Sequence, residues 1–126
     1  MTLEEYVANV FRLIQALAGV SVERYEEQLL SATRGNLRLR LRFVDQALLE
    51  MSEAVLCTAG TLQWLSYRYH YQELSGLVLR YDNAPHHPEV VTHLDHKHIG
   101  DDVVASAHPT IAQVLLEVQT LRGRQR

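Results

Sequence analysis

The start of the chain carries apolar side chains three or four positions apart, which is the period of an amphipathic helix. Over residues 2 to 18 these apolar positions are Leu3, Tyr6, Val7, Val10, Ile14 and Leu17. Thr2 and Glu5 have the spacing of a capping box, and Gly19 is suited to end a helix. The pattern therefore predicts an N-terminal helix that buries one face.

After residue 36 the apolar period changes to two, which indicates β-strands whose faces differ in polarity. In residues 37–43, leucines and a phenylalanine alternate with three arginines. Similar alternation, interrupted by turns at residues 58–60 and 74–76, predicts an antiparallel meander. The expected strands are residues 37–43, 46–57, 62–72, 76–82 and a short segment at 96–99.

Two further segments flank this meander. Residues 22–30 fit either a polar edge strand or a short helix, and Gly35-Asn36 is expected to form the turn that follows. Pro109 predicts the first position of a second helix, because proline loses no hydrogen bond there. The apolar face of that helix would be Ile111, Val114, Leu115 and Val118, and its basic end Arg122, Arg124 and Arg126.

These elements predict an α+β fold in a single domain that spans residues 1–126. One antiparallel sheet of about five strands would bury its aliphatic face against the N- and C-terminal helices. The opposite face would present the arginines of residues 37–43 together with Arg68, His70 and Arg80. A homodimer is compatible with such a sheet, because its edge strands offer unpaired backbone groups.

The composition is that of a globular protein, with 47% apolar and 21% charged residues. A net charge of −3 argues against a protein that coats nucleic acid, so a site for a polyanion must be local. The sequence shows no 18-residue apolar run and no secretory signal, and Cys57 is its single cysteine. We therefore expect a cytoplasmic protein that does not span a membrane.

The arginine-rich strand is a candidate surface for nucleic acid. Arginines at alternate positions of a strand project about 7 Å apart on one side, and neighbouring tyrosines and Trp64 could stack on bases. The residues expected to contact nucleic acid are Arg38, Arg40, Arg42, Arg68, His70 and Lys97. The alternative is cross-strand pairing with carboxylates, for which Glu23, Glu26, Glu27, Glu50 and Glu53 are available.

All seven histidines lie between His70 and His108, which makes this third of the chain the candidate reactive region. Imidazole can take up and return a proton near neutral pH. Cleavage of RNA without a metal needs a base for the 2′-hydroxyl, an acid for the leaving 5′-oxygen and a cation for the phosphorane. The candidate catalytic residues are His86, His87, His96, His98, Arg80 and Asp82.

Two other interpretations of the histidines stay open. Histidine and carboxylate are ligands for zinc or manganese, so His86, His87, His96 and His98 could hold a metal ion together with Asp82. Alternatively the histidines only shape a loop, which is the role expected of His108. No cofactor is required by the sequence, and a divalent metal is the alternative.

The run RYDNAPHHPE at residues 80–89, followed by HKHIG at 96–100, resembles the TumE-like family of toxins from type II toxin–antitoxin modules. The aromatic-rich run at residues 67–72 and the alternation at residues 37–42 are also similar, and the likeness covers roughly residues 20 to 118. Asp95 stands where the family pattern has a histidine, so His96 and His98 are the stronger candidates for a catalytic role.

The resemblance implies a growth-inhibiting toxin that a cognate antitoxin neutralises, often an antitoxin with a DNA-binding helix-turn-helix. RNA is the expected target, so the expected activity is that of an endoribonuclease, a hydrolase of phosphodiester bonds. The alternative is a non-catalytic module that binds nucleic acid or protein through its sheet.

Overall fold

A single antiparallel sheet, with one helix before it and one after it, makes up the computed structural model. The model describes residues 1–85, 87, 90–92 and 94–124. The helices are α1 (Leu3–Gln15) and α2 (Ile111–Arg124). The strands are β1 (Val20–Leu29), β2 (Arg34–Phe43), β3 (Leu48–Thr58), β4 (Thr61–Glu73), β5 (Gly76–Asp82), β6 (His96–Ile99) and β7 (Asp102–Ala105). None of the helices in these ranges is long and apolar enough to cross a bilayer.

The strands follow one another across the sheet in chain order, and each pairs antiparallel with the next. This confirms the α+β class and the meander, but the sheet has seven strands rather than about five. The segment for which the sequence left a strand or a short helix open forms the strand β1. β7 lies in a stretch of sequence whose apolar residues follow no sustained period. Both are edge strands that bury few side chains, so neither needs the apolar alternation by which strands are recognised.

Both helices begin with a capping box. The Glu5 N–H donates to Thr2 Oγ1 at 3.1 Å, and the Thr2 N–H donates to Glu5 Oε1 at 3.3 Å, as the sequence predicted. At α2 the Gln113 N–H donates to Thr110 Oγ1, and the Thr110 N–H donates to Gln113 Oε1. Thr110 is therefore the cap, and the prediction that Pro109 opens the helix is wrong by two residues.

The core lies between the helices and one face of the sheet, which we call the helix-covered face. Leu41, Leu49, Tyr69 and Tyr71 are completely buried there. They pack with the predicted apolar residues of α1 and α2, namely Val7, Val10, Ile14, Ile111, Val114, Leu115 and Val118. The tyrosines of β4 are therefore part of the core rather than of a base-stacking surface.

Gly35 lies inside β2, so the turn predicted at Gly35-Asn36 is wrong; the chain reverses in the segment before Arg34. A Cβ atom at Gly35 would lie 3.1 Å from Leu3 Cδ2 and 3.2 Å from Leu29 Cδ2. The glycine thus serves the close approach of α1 to the sheet rather than a turn.

A β-bulge in β4 moves Trp64 to the helix-covered face. Ala54 pairs with Ser66 but Val55 pairs with Trp64, so Leu65 is an extra residue in its strand. Trp64 consequently packs edge-on against Tyr6 of α1, with ring centroids 5.4 Å apart. The expectation that Trp64 lies beside the arginines is wrong, because one extra residue reverses the alternation.

Glu53 also lies on the helix-covered face and is 4% exposed. Tyr6 Oη donates to its Oε1 at 2.5 Å, and Tyr69 Oη donates to its Oε2. Its predicted pairing with arginine is wrong, because it alternates in phase with Leu49 and Met51. Burial raises the pKa of Glu53 above its ordinary value of 4.5, and the tyrosine donors oppose this shift.

We predict that Glu53→Gln removes a pH-dependent loss of stability. A carboxyl whose pKa is raised by folding binds its proton more tightly in the native state, so ionisation costs stability as pH rises above 4.5. Chemical denaturation between pH 4.5 and 7.5 should therefore show the free energy of unfolding of the variant rising relative to that of the wild type as pH increases. Parallel curves for the two proteins would contradict the raised pKa.

Candidate functional site

The face opposite the helices, which we call the open face, carries two rows of polar side chains across β2 to β6. Strand register places one row in the order Arg38, Ser52, Arg68, Asp82, His96. It places the other in the order Arg40, Glu50, His70, Arg80, His98. Because neighbouring strands are about 4.8 Å apart, each row crosses about 19 Å of sheet.

Three side chains at the β5–β6 end of these rows converge with His87, which lies in the segment after β5. We call these four residues the histidine cluster: Asp82, His87, His96 and His98. His96 Nε2 lies 2.9 Å from Asp82 Oδ1 and 3.2 Å from His98 Nε2. His98 Nε2 lies 3.6 Å from Asp82 Oδ2. One ring nitrogen from each of the three histidines lies within 4.8 Å of the others. Of the six predicted catalytic residues, the structure thus brings these four together.

The tautomer of His96 is set by the backbone. Its Nδ1–H donates to the Leu94 carbonyl oxygen at 2.9 Å, because a carbonyl can only accept. In the neutral ring, Nε2 is then an acceptor, and it faces a carboxylate oxygen of Asp82. His96 is 2% exposed, so water does not relieve this contact between two acceptors. A cation between the two atoms would relieve this contact.

His98 is half-buried on the open face beside this contact. Burial lowers the pKa of His98, the Asp82 carboxylate opposes that shift, and the nearby His96, Arg80 and His87 add to it. The ring is consequently uncharged near neutral pH. One lone pair of an uncharged imidazole is available to accept a proton or to bind a cation.

Arg80 is held in place by His70. Its Nε–H donates to His70 Nδ1 at 3.1 Å, and His70 Nε2 donates to Gln72 Oε1 at 2.7 Å. His70 is only 8% exposed, and burial lowers its pKa, so the ring is neutral. The predicted contact of His70 with nucleic acid is not what this geometry supports: both ring nitrogens are used, and the residue positions Arg80.

Of the three arginines at alternate positions in residues 38–42 of β2, two are paired with one carboxylate. Arg40 and Arg42 both pair with Glu23, at 3.3 and 3.2 Å. A bulge in β1 makes this contact, because Val22 pairs with Leu41 and Arg24 with Arg40, which leaves Glu23 as the extra residue. For these two arginines the cross-strand pairing interpretation is the correct one.

Arg38 and Arg68 have a different setting. Both are exposed, and they line a shallow depression of about 200 Å³ whose other polar residues are Arg24, Glu50 and Ser52. Arg68 also lines a groove of about 510 Å³ whose wall includes Arg80 and the whole histidine cluster. The basic surface is therefore continuous with the cluster through Arg68. The sequence did not point to Arg24 or Ser52, which only the strand register reveals.

Lys97 does not belong to this surface. In the short strand β6 it alternates with His96 and His98, and so it points to the helix-covered face. Its Nζ donates to Glu117 Oε2 of α2 at 2.6 Å and lies 4.8 Å above the Tyr81 ring. Strand alternation thus separates Lys97 from the open face, on which the other residues predicted to contact nucleic acid lie.

His108 and Asp95 lie outside the histidine cluster. His86 falls outside the described residues. His108 stacks on Tyr67 with ring centroids 3.9 Å apart, and its Nε2 donates to Tyr69 Oη at 2.9 Å, so it is structural as expected. Asp95 accepts a hydrogen bond from Tyr67 Oη at 2.7 Å and is not part of the cluster.

Comparison with known proteins assigns the chain to a family. The family model described as toxin TumE matches residues 10–124, which include every strand and the residues of the histidine cluster. No curated protein and no solved structure matches the chain. The chain belongs to the TumE toxin family, and this membership implies an antitoxin as its partner.

Proposed function

We propose that this toxin is an endoribonuclease whose reaction centre is the histidine cluster. The observation that carries the proposal is the convergence of three imidazoles and a carboxylate in a groove that Arg68 and Arg80 also line. Groups that transfer protons or hold a cation, placed beside guanidinium groups, are what cleavage of a phosphodiester requires. Membership of a toxin family supports a growth-inhibiting role, and destruction of RNA would inhibit growth.

Binding of the RNA backbone would fall to Arg38, Arg68 and Arg80. Within the described ranges, neither Arg38 nor Arg68 forms an ion pair with a carboxylate, unlike Arg40 and Arg42. Arg38 and Asp82 are three strands apart, which is about 14 Å. We therefore propose that RNA crosses the strands along this row, rather than following β2.

The cluster would act as one unit. In cleavage by the adjacent 2′-hydroxyl, a P–O2′ bond forms while the P–O5′ bond breaks, and the two oxygens lie on opposite sides of phosphorus. A base and an acid must then stand on opposite sides too. His96 Nε2 and His98 Nε2 are only 3.2 Å apart, which is too close to enclose a phosphate between them, so the cluster would act on one side of phosphorus. It would promote removal of the 2′-hydroxyl proton there, while the leaving 5′-oxygen on the other side takes a proton from water. Arg80 would balance the charge of the phosphorane.

The first test is cleavage of total RNA by the purified protein. We predict that Asp82→Asn and His98→Ala each lower the cleavage rate by about 100-fold or more, because each removes a group of the reaction centre. Lys97→Ala is the matched control, since it changes the same strand on the other face, and its rate should stay within about twofold. In cells, Asp82→Asn and His98→Ala should no longer arrest growth, whereas Lys97→Ala should still arrest it.

Circular dichroism and melting curves must show that the variants are folded. Wild-type protein that binds RNA without cutting it would instead identify a non-catalytic binding module. Equal rates for the wild type and both variants would place the reaction centre elsewhere.

The second test concerns binding of a 2′-O-methyl RNA, measured by fluorescence anisotropy at several salt concentrations. We predict that Arg38→Ala and Arg68→Ala each weaken binding for all sequences and lower the slope of log K against log salt by about 1, because each removes one phosphate contact. Arg42→Ala should change the slope less, since Glu23 already neutralises Arg42. Equal effects of Arg42→Ala and Arg68→Ala would contradict the proposed path.

A further inference from the structure

We infer that the histidine cluster binds one divalent transition-metal ion through His87, His96, His98 and Asp82. The distances fit such an ion. In a tetrahedral site with bonds of about 2.0–2.1 Å, two ligand atoms lie about 3.4 Å apart. His96 Nε2 lies 2.9 Å from Asp82 Oδ1 and 3.2 Å from His98 Nε2, and His98 Nε2 lies 3.6 Å from the other carboxylate oxygen, Oδ2. A ring nitrogen of His87 lies within 4.8 Å of those of the other two histidines, so a small inward movement would bring it to the ion.

The hydrogen bonding of His96 also fits a metal ligand. A histidine that binds a metal through one nitrogen commonly donates its other N–H to a carbonyl or carboxylate, which fixes the ring. The Nδ1–H of His96 donates to the Leu94 carbonyl oxygen in this way. Its Nε2 therefore points into the cluster with a lone pair, at a position where water has little access.

A proton explains this arrangement less completely than a metal ion. One proton between His96 and Asp82 would satisfy the 2.9 Å contact between them. The same proton cannot also join His98 Nε2, which lies 3.2 Å from His96 Nε2 and 3.6 Å from Asp82 Oδ2, to the carboxylate. A metal ion at the centre would instead use the lone pairs of both rings and the negative charge of the carboxylate at once.

The donor set indicates the kind of metal. Magnesium and calcium take oxygen ligands, whereas imidazole suits zinc, iron, nickel and copper. Three imidazoles and one carboxylate therefore favour a zinc-like ion over magnesium. If the proposed function holds, such an ion would polarise a phosphate oxygen in the groove that Arg68 and Arg80 line.

Metal binding is tested first without RNA, on the full chain stripped of metal with a chelator. Titration with Co²⁺, followed by the visible absorption of tetrahedral cobalt, and calorimetry with Zn²⁺ should both show one ion per chain. Mg²⁺ should not displace it. Asp82→Asn, His96→Ala and His98→Ala should each lower the affinity for Zn²⁺ by 10- to 100-fold or more.

Two controls separate a built site from general binding to histidines. Lys97→Ala changes the opposite face of β6, and His108→Gln removes a histidine that stacks on Tyr67. Both variants should bind Zn²⁺ as the wild type does. Wild-type affinity in Asp82→Asn and His98→Ala would overturn the inference, even if His96→Ala fails to fold.

RNA cleavage separates this inference from the proposed function. Loss of cleavage in EDTA and its return with Zn²⁺ or Mn²⁺ would support both. A bound ion without RNA cleavage would keep the metal site and refute the ribonuclease. Cleavage that persists in EDTA, in protein that binds no ion, would refute the metal site and keep the ribonuclease.

Discussion

The register between β4, β5 and β6 is the constraint on which the candidate site depends. It sets Arg68 opposite Asp82 and Asp82 opposite His96, and a slip by one residue would send all three to the other face. The core resists such a slip, because Tyr69 and Tyr71 are completely buried on the helix-covered face. Packing of apolar side chains on one face therefore positions the polar side chains on the other.

On the open face, one carboxylate gives different surroundings to arginines that the sequence alone does not distinguish. The bulge at Glu23 brings one acidic side chain to Arg40 and Arg42, while Arg38 and Arg68 remain exposed. The groove beside Arg68 then combines positive charge with the histidine cluster. A chain with a net charge of −3 can in this way present a basic surface over a small area.

Burial of polar atoms in the histidine cluster makes an unfavourable contribution to the free energy of folding. Asp82 and His96 are both nearly buried, and their nearest atoms are acceptors unless a cation joins them. Burial also keeps His98 neutral by lowering its pKa. An arrangement that is unfavourable on its own and favourable with a bound cation is typical of sites that bind metal ions or transfer protons.

Much of the fold and the place of the site followed from local sequence. The capping box of Thr2 and Glu5, the strands of the meander and the core leucines depend on neighbours along the chain, and the run at residues 80–89 with residues 96–100 marked the region of the cluster. The edge strands β1 and β7 were beyond such reasoning, because they bury too little to show a period.

Tertiary structure alone decided which of the marked residues meet. A bulge turned Trp64 to the helices, and alternation did the same for Lys97 and Glu53. Contacts across strands assigned Arg42 to Glu23 and His70 to Arg80. The physical reason is the difference in range: periodicity and capping are properties of adjacent residues, whereas the partner of a side chain depends on strand register and on single extra residues far away in the chain.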